Sequence, residues 1–188
     1  QNQSNTNAIT VISGHRTYDY QESLYQQSAA KNGEVEAMKW VAKPGGSEHH
    51  TGYALDFGLY HKSGRSESYK GRGQYRWINE NAWRYGFIVR YPEEKKEQTG
   101  IEYEPWHFRY IGRPHSYITT EYGMCLEEYI NYLKEFQFGE KHLKVMDIDG
   151  KQYEIYYTDS MEIPVPSERQ YKVSGNNMDG FIVTVKTH

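Results

Sequence analysis

The sequence is consistent with an α+β fold. Short runs rich in Ile, Val and aromatic residues alternate with helix-like stretches through residue 138, and Gly or Pro falls between them. From Lys141 onward the pattern turns all-β. A length of 188 residues suits one domain with a small appendage. The division expected is therefore 1–138 for the main domain and 139–188 for a small β subdomain. Pattern alone does not fix how these elements pack.

Ala8 to Ile12 reads as a first strand after the polar leader Gln1 to Asn7. So abrupt a start suits a domain that has lost an earlier helix. Ser13 to Thr17 is a turn that presents Arg16. Tyr18 to Asn32 reads as a helix, with Leu24, Tyr25, Ser28 and Ala29 as its stripe and Gly33 as its C-cap. After a loop at Lys43-Pro44-Gly45-Gly46, Gly52 to Phe57 reads as a strand. Tyr60 to Gln74 is polar and Gly-rich, the pattern of a mobile loop. Tyr75 to Tyr85 reads as a helix stopped by Gly86, and Phe87 to Arg90 as a strand. Tyr91 to Gly100 reads as a charged, hairpin-like excursion, and Trp106 to Ile111 as a further strand.

Cys125 to Phe138 has the spacing of an amphipathic helix through Leu126, Tyr129, Ile130 and Leu133. A hairpin is expected from Lys144 to Tyr157 with its turn at Asp149-Gly150. Strands near Tyr171 to Val173 and Phe181 to Val185 follow. This tail is short for independent stability and is expected to brace the main domain rather than bind a partner. Asp147, Asp149 and Gly150 faintly echo a calcium loop, but the other ligand positions are missing and the turn reading prevails.

Composition excludes several classes of function. The net charge is -3 with both signs interspersed, so nucleic-acid binding has no electrostatic support. Aromatics make up 15% of the chain, which argues against disorder. No apolar run is long enough to span a bilayer, and no signal peptide is visible. Cys125 is the only cysteine, so no internal disulfide forms, and its apolar neighbours suit a buried, neutral thiol. No nucleophile-elbow motif points to a serine or cysteine hydrolase.

Two segments carry chemistry: Ser47-Glu48-His49-His50-Thr51-Gly52-Tyr53-Ala54-Leu55-Asp56, and Glu104-Pro105-Trp106-His107. Taken singly, His49 reads as a hydrogen-bonded loop histidine, Asp56 as a turn cap and Glu104 as a solvated strand carboxylate. Together they offer two imidazoles and a carboxylate, the three protein ligands of a catalytic zinc, with a further carboxylate beside them. Spacing leaves the metal reading and the bland one evenly matched.

The pattern Ser47-x-His49-x-x-Gly52-x-Ala54-x-Asp56, followed by Glu104-x-Trp106-His107, resembles the paired signature of the LAS metallopeptidases. Within that group it looks most like the VanY-type D-alanyl-D-alanine carboxypeptidases. Ser13 to Gln21 and Tyr85 to Pro92 extend the resemblance, which covers roughly Ile9 to Phe136. It implies an antiparallel sheet with helices packed on one side. It also implies Zn2+ held by His49, Asp56 and His107, with Glu104 as general base and acid and Arg16 facing the scissile carbonyl. Gln21 and Ser47 match polar positions near the substrate backbone. His15 and His50 depart from the family pattern, so His49 is chosen over His50 by motif register.

The function implied is removal of the terminal D-Ala from peptidoglycan stem peptides ending in D-Ala-D-Ala. The alternatives are a D,D-dipeptidase, an L,D-carboxypeptidase or a bifunctional relative, and a non-catalytic zinc-bearing wall-peptide binding module. The intact Glu104 favours an enzyme, because only catalysis needs a base there. By the same analogy the protein works outside the cytoplasmic membrane with the stem peptide as partner, and it is expected to be a monomer.

Overall fold

The computed structural model describes residues 8–60 and 66–188, and the chain divides into two units, Gln1–Gly112 and Arg113–His188. The first unit begins with β1 (Ile9–Ser13), α1 (Tyr18–Asn32) and the short α2 (Glu34–Ala37). β2 (Ala54–Tyr60) and β3 (Ser66–Ser68) follow, then α3 (Trp77–Asn81), β4 (Phe87–Val89), α4 (Lys96–Thr99) and β5 (His107–Tyr110). The strands form one antiparallel sheet in the order β1-β2-β5-β4, with β3 also pairing β2.

Local chemistry explains the ends of α1. The Thr17 hydroxyl accepts from Tyr20 N at 3.3 Å, and Gly33, at φ 83°, donates its N–H to Ala29 O at 2.8 Å. A cap of the first kind contributes about 1 kcal/mol. The helix buries Gln21 and Tyr25, one turn apart, so a glutamine joins the expected apolar stripe. Phe108, 1% exposed, anchors the sheet's core with Ile9 and Tyr69, and Leu55, Phe57 and Phe87 pack around them. On β2, Ala54, Asp56 and Gly58 are buried in alternation. A Cβ on Gly58 would lie 2.5 Å from Ile12 Cγ2 and 2.9 Å from Glu67 O, so β1 and β3 close in on a residue without one.

The first unit departs from the sequence reading in four places. Gly52 lies outside β2: it ends a 3₁₀ turn over Glu48–Thr51 with φ 74°. The helix expected from Tyr75 to Tyr85 is a 3₁₀ turn at Gly73–Tyr75, then α3, then a second 3₁₀ turn at Ala82–Tyr85, because Asn81 leaves helical geometry at φ -124°. Tyr91 to Gly100 is a 3₁₀ turn and α4 rather than a hairpin. Its Glu, Lys and Gln residues are helix formers, and it has no β-branched run to make strands. Of the expected 60–74 loop, residues 61–65 lie outside the described residues. The rest holds β3 and the buried Tyr69, whose hydroxyl donates to Tyr75 O at 2.6 Å.

The second unit holds α5 (His115–Glu121), α6 (Leu126–Leu133), β6 (Leu143–Met146), β7 (Gln152–Thr158), β8 (Tyr171–Gly175) and β9 (Phe181–Lys186). Its antiparallel sheet runs β6-β7-β9-β8. The division falls after Gly112, not after residue 138, so this unit is not all-β. Ile118 of α5 and Tyr129 and Leu133 of α6 share one core with Leu143, Ile155 and Ile182. The change at residue 139 marks a switch from helix to strand within one core.

α6 stops at Leu133, short of the expected Phe138, and α5 was not anticipated at all. Cys125 is buried at the N-cap of α6, where Glu128 accepts from its backbone N–H at 2.9 Å, and burial pushes its thiol up. The β6–β7 hairpin forms as expected. Asp147 Oδ1 accepts from the backbone of Asp149 and Lys151, while Arg113 bonds Asp147 and Asp149 at 2.8 and 2.7 Å. Those carboxylates brace a turn.

Candidate metal and catalytic site

The pairing of β2 with β5 sets Asp56 directly opposite His107. Cross-strand partners share a face of the sheet, which brings together two residues far apart in the chain. The third group arrives on the 3₁₀ turn before β2. Ser47 caps that turn, its hydroxyl accepting from His49 N at 3.4 Å. His49 O accepts from Arg16 N at 3.2 Å, tying the turn to the loop after β1.

The hydrogen bonds also separate the two adjacent histidines. His49 Nδ1 lies 2.7 Å from Gly14 O, and a carbonyl can only accept, so Nδ1 carries the proton and Nε2 is left with its lone pair. His50 uses both nitrogens: Nδ1 donates to Arg16 O at 2.9 Å, and Nε2 accepts from Gly45 N at 3.1 Å. His49 is therefore the histidine with a nitrogen to offer.

His49 Nε2 stands 3.3 Å from Asp56 Oδ2, and His107 Nδ1 stands 2.9 Å from Asp56 Oδ1. All three residues are buried, and their ligand atoms lie within 4.8 Å of one another. Two atoms each ~2.1 Å from a tetrahedral zinc are ~3.4 Å apart, so the spacing fits. His49 Nε2 is buried with no hydrogen-bond partner, a deficit of about 1–3 kcal/mol unless an ion takes up its lone pair. The donor set suits zinc.

Electrostatics separate the neighbouring groups. Burial pushes Glu104 up to about 7, with nearby Asp56 adding to the rise against His107 and Arg16. A carboxyl titrating there can both take and give a proton near neutrality. Asp56 is pulled well below the usual carboxylate range by His107 and His49, against burial. Burial alone would lower His107, but Asp56 and Glu48 hold it up at about 9.

Arg16 is set among three partners: Ser13 Oγ at 2.8 Å, Gln21 Oε1 at 3.3 Å and Asp56 Oδ2 at 2.5 Å. Gln21, 1% exposed, spends its other end on Ala42 O at 2.8 Å. Arg16, Gln21, Ser47 and Glu104 line a cavity of about 260 Å³ with the three metal-facing residues. Leu24, Val41 and Ile101 supply apolar wall.

Sequence reasoning missed Glu48. Its Oε1 accepts from Arg90 Nε at 2.7 Å and lies 3.1 Å from Arg109 Nη1. Burial pushes its carboxyl up, but His107, Arg90 and Arg109 bring it down to about 2. Its Oε2 lies 3.5 Å from His107 Nε2, longer than a hydrogen bond, so charge carries that attraction. One signal was available: Arg109 alternates with His107 along β5, and a buried arginine needs an acid.

Comparison with known proteins gives a consistent picture. The family model described as VanY, D-alanyl-D-alanine carboxypeptidase, matches residues 1–113. A D-alanyl-D-alanine carboxypeptidase of Enterococcus faecium is 46% identical over 179 residues, covering 93% of this chain and 53% of the relative. The bifunctional D-Ala-D-Ala dipeptidase and carboxypeptidase VanXYC of Enterococcus gallinarum is 41% identical, covering 68% of each chain. The chain thus spans about half the length of the E. faecium relative.

Among solved structures, the vancomycin-resistance D,D-dipeptidase VanXYg, in complex with a D-Ala-D-Ala phosphinate analog, superposes with a TM-score of 0.88 at 39% identity. That match covers 98% of this chain and 75% of the other. A mutant of the D,D-pentapeptidase VanY in complex with Zn(II) gives 0.59 at 38% identity, covering 65% and 71%.

Proposed function

The chain belongs to the VanY family of D-alanyl-D-alanine carboxypeptidases, and on that premise we propose that it is a zinc peptidase removing the terminal D-Ala from peptidoglycan stem peptides. One observation carries the reading. His49 Nε2, the Asp56 carboxylate and His107 Nδ1 converge in the cavity that also holds Glu104, whose carboxyl titrates at about 7. When bound, zinc supplies Lewis-acid polarisation of the scissile carbonyl and makes water acidic.

The chain's own residues do the rest. Glu104 takes the proton of the attacking water and returns it to the departing amine, as its raised pKa allows. Arg16, held by Ser13 and Gln21, places a guanidinium where negative charge develops on the carbonyl oxygen, a contribution of ~3 kcal/mol per donor. Gln21 and Ser47, on the cavity wall, are the proposed polar contacts for the substrate backbone. Leu24, Val41 and Ile101 suit small side chains such as the alanine methyl. All these groups come from one chain, so a single copy suffices to form the proposed site. No helix among the described residues is long and apolar enough to cross a membrane. We infer that the working enzyme acts in the extracytoplasmic envelope, where a cell-wall stem peptide is met.

A synthetic stem pentapeptide ending in D-Ala-D-Ala is the test, with products read by mass spectrometry. Loss of one alanine with zinc, none after chelation, and recovery on adding zinc is the expected result. Cleavage by the stripped protein would locate the chemistry elsewhere. A second reading, D,D-dipeptidase or bifunctional activity, is favoured by the match to VanXYg across 98% of this chain. Free D-Ala-D-Ala as substrate separates the two.

A further inference from the structure

Two buried polar atoms face each other beside the metal site, and neither has a hydrogen-bond partner: Glu48 Oε2 and His107 Nε2, 3.5 Å apart. The rest of Glu48 is fixed. Its Oε1 is gripped by Arg90, which follows β4, and approached by Arg109 from β5. β4 and β5 pair in register at Ile88 and Arg109, so the grip sits on rigid sheet. The clamp leaves Oε2 as the available acceptor.

What that acceptor does follows from the zinc reading, on which this inference rests. A ring nitrogen that binds a metal must present its lone pair. If His107 offers Nδ1, its one remaining proton sits on Nε2, and a buried N–H needs an acceptor. Glu48 Oε2 stands opposite it. His49 meets the same need differently, donating Nδ1–H to the neutral carbonyl of Gly14. We propose that Glu48 is a positioning residue: clamped by Arg90 and Arg109, its carboxylate accepts the Nε2–H of His107, fixes the ring with Nδ1 towards Asp56, and thereby strengthens zinc binding. A charged acceptor also makes the ligand nitrogen more basic than an amide would.

The probe is Zn2+ alone, titrated with no substrate present into the apoprotein against a chromophoric chelator over a pH series. The pH-independent affinities are compared, because Glu48 also helps hold the proton that zinc displaces from His107. Glu48→Gln is expected to bind zinc 10- to 100-fold more weakly, the usual effect of losing such a partner. Because that change leaves two arginines without their acid, the double variant Glu48→Gln/Arg109→Met restores the net charge of the three-residue cluster. It should show the same loss with the wild-type unfolding midpoint. A measurement on the unaltered protein stands beside these. In its zinc-loaded form, ¹⁵N spectra of the imidazoles should show His107 protonated at Nε2 and slow to exchange. A His107 protonated at Nδ1, or unchanged zinc affinity in both variants, would overturn the proposal. A wild-type chain that binds no zinc would overturn the metal reading and this inference with it.

Discussion

Zinc affinity should depend steeply on pH, and the structure sets the size of the effect. His107 is held protonated up to about 9 by Asp56 and Glu48, against burial. Metal binding needs the neutral ring, so zinc and a proton compete for the same nitrogen. At pH 7 the neutral ring is then a small minority, on the order of 1%, so zinc binding must overcome roughly 3 kcal/mol of proton affinity. The apparent Kd should therefore fall about tenfold per unit from pH 7 to 9, roughly a hundredfold in all, and then level off. Chelator competition at fixed free zinc measures the affinity. Calorimetry in two buffers of different ionisation enthalpy counts the proton released, expected to be about one per zinc near pH 7. Since Glu104 titrates at about 7, the series is best run in Glu104→Gln as well. An affinity flat between pH 7 and 9, with no proton released, would refute the assignment of His107 as a titrating ligand.

Glu104→Gln should leave zinc stoichiometry intact and lower kcat by about 10²–10⁴-fold, measured as D-Ala released from the pentapeptide. Arg16→Ala should lower kcat by about 10²–10³-fold, with zinc still bound. The second unit has a pH test of its own. His115 is lowered to about 4 by burial and Lys172, while its nitrogens contact Tyr129 Oη at 2.7 Å and Thr184 Oγ1 at 2.8 Å. A histidine kept neutral in the fold contributes stability that is full above its unfolded pKa of about 6.5 and is lost as pH falls towards 4. Unfolding free energies from urea titrations at pH 7 and pH 4.5 should differ by roughly 2 kcal/mol on account of this group in the wild type. That difference should shrink in His115→Gln.

The metal-facing residues were legible because they belong to short fixed patterns, and strand alternation put Asp56 on a buried face. The choice between His49 and His50 rested on motif register, and the hydrogen bonds of Gly14, Arg16 and Gly45 supply its physical basis. Glu48 was legible only indirectly, through the need of a buried Arg109 for an acid. Its importance depends on Arg90 and Arg109, which only the sheet brings near, and adjacency to His49 looked incidental. The short helices α2 and α4 also escaped notice, since four residues carry too little periodicity to register. The division after Gly112 was hidden for a related reason: α5 and α6 carry no mark of which core they join.

Since Asp56 and His107 meet across β2 and β5, zinc can be gripped only by a chain whose strands have aligned in one way. Sliding β5 by one residue would set Phe108 against Asp56 and swing the imidazole to the opposite side. A mispaired chain is metal-blind. Under the proposed zinc reading, free zinc would favour the correctly aligned sheet by mass action, so the metal site would also report on strand register.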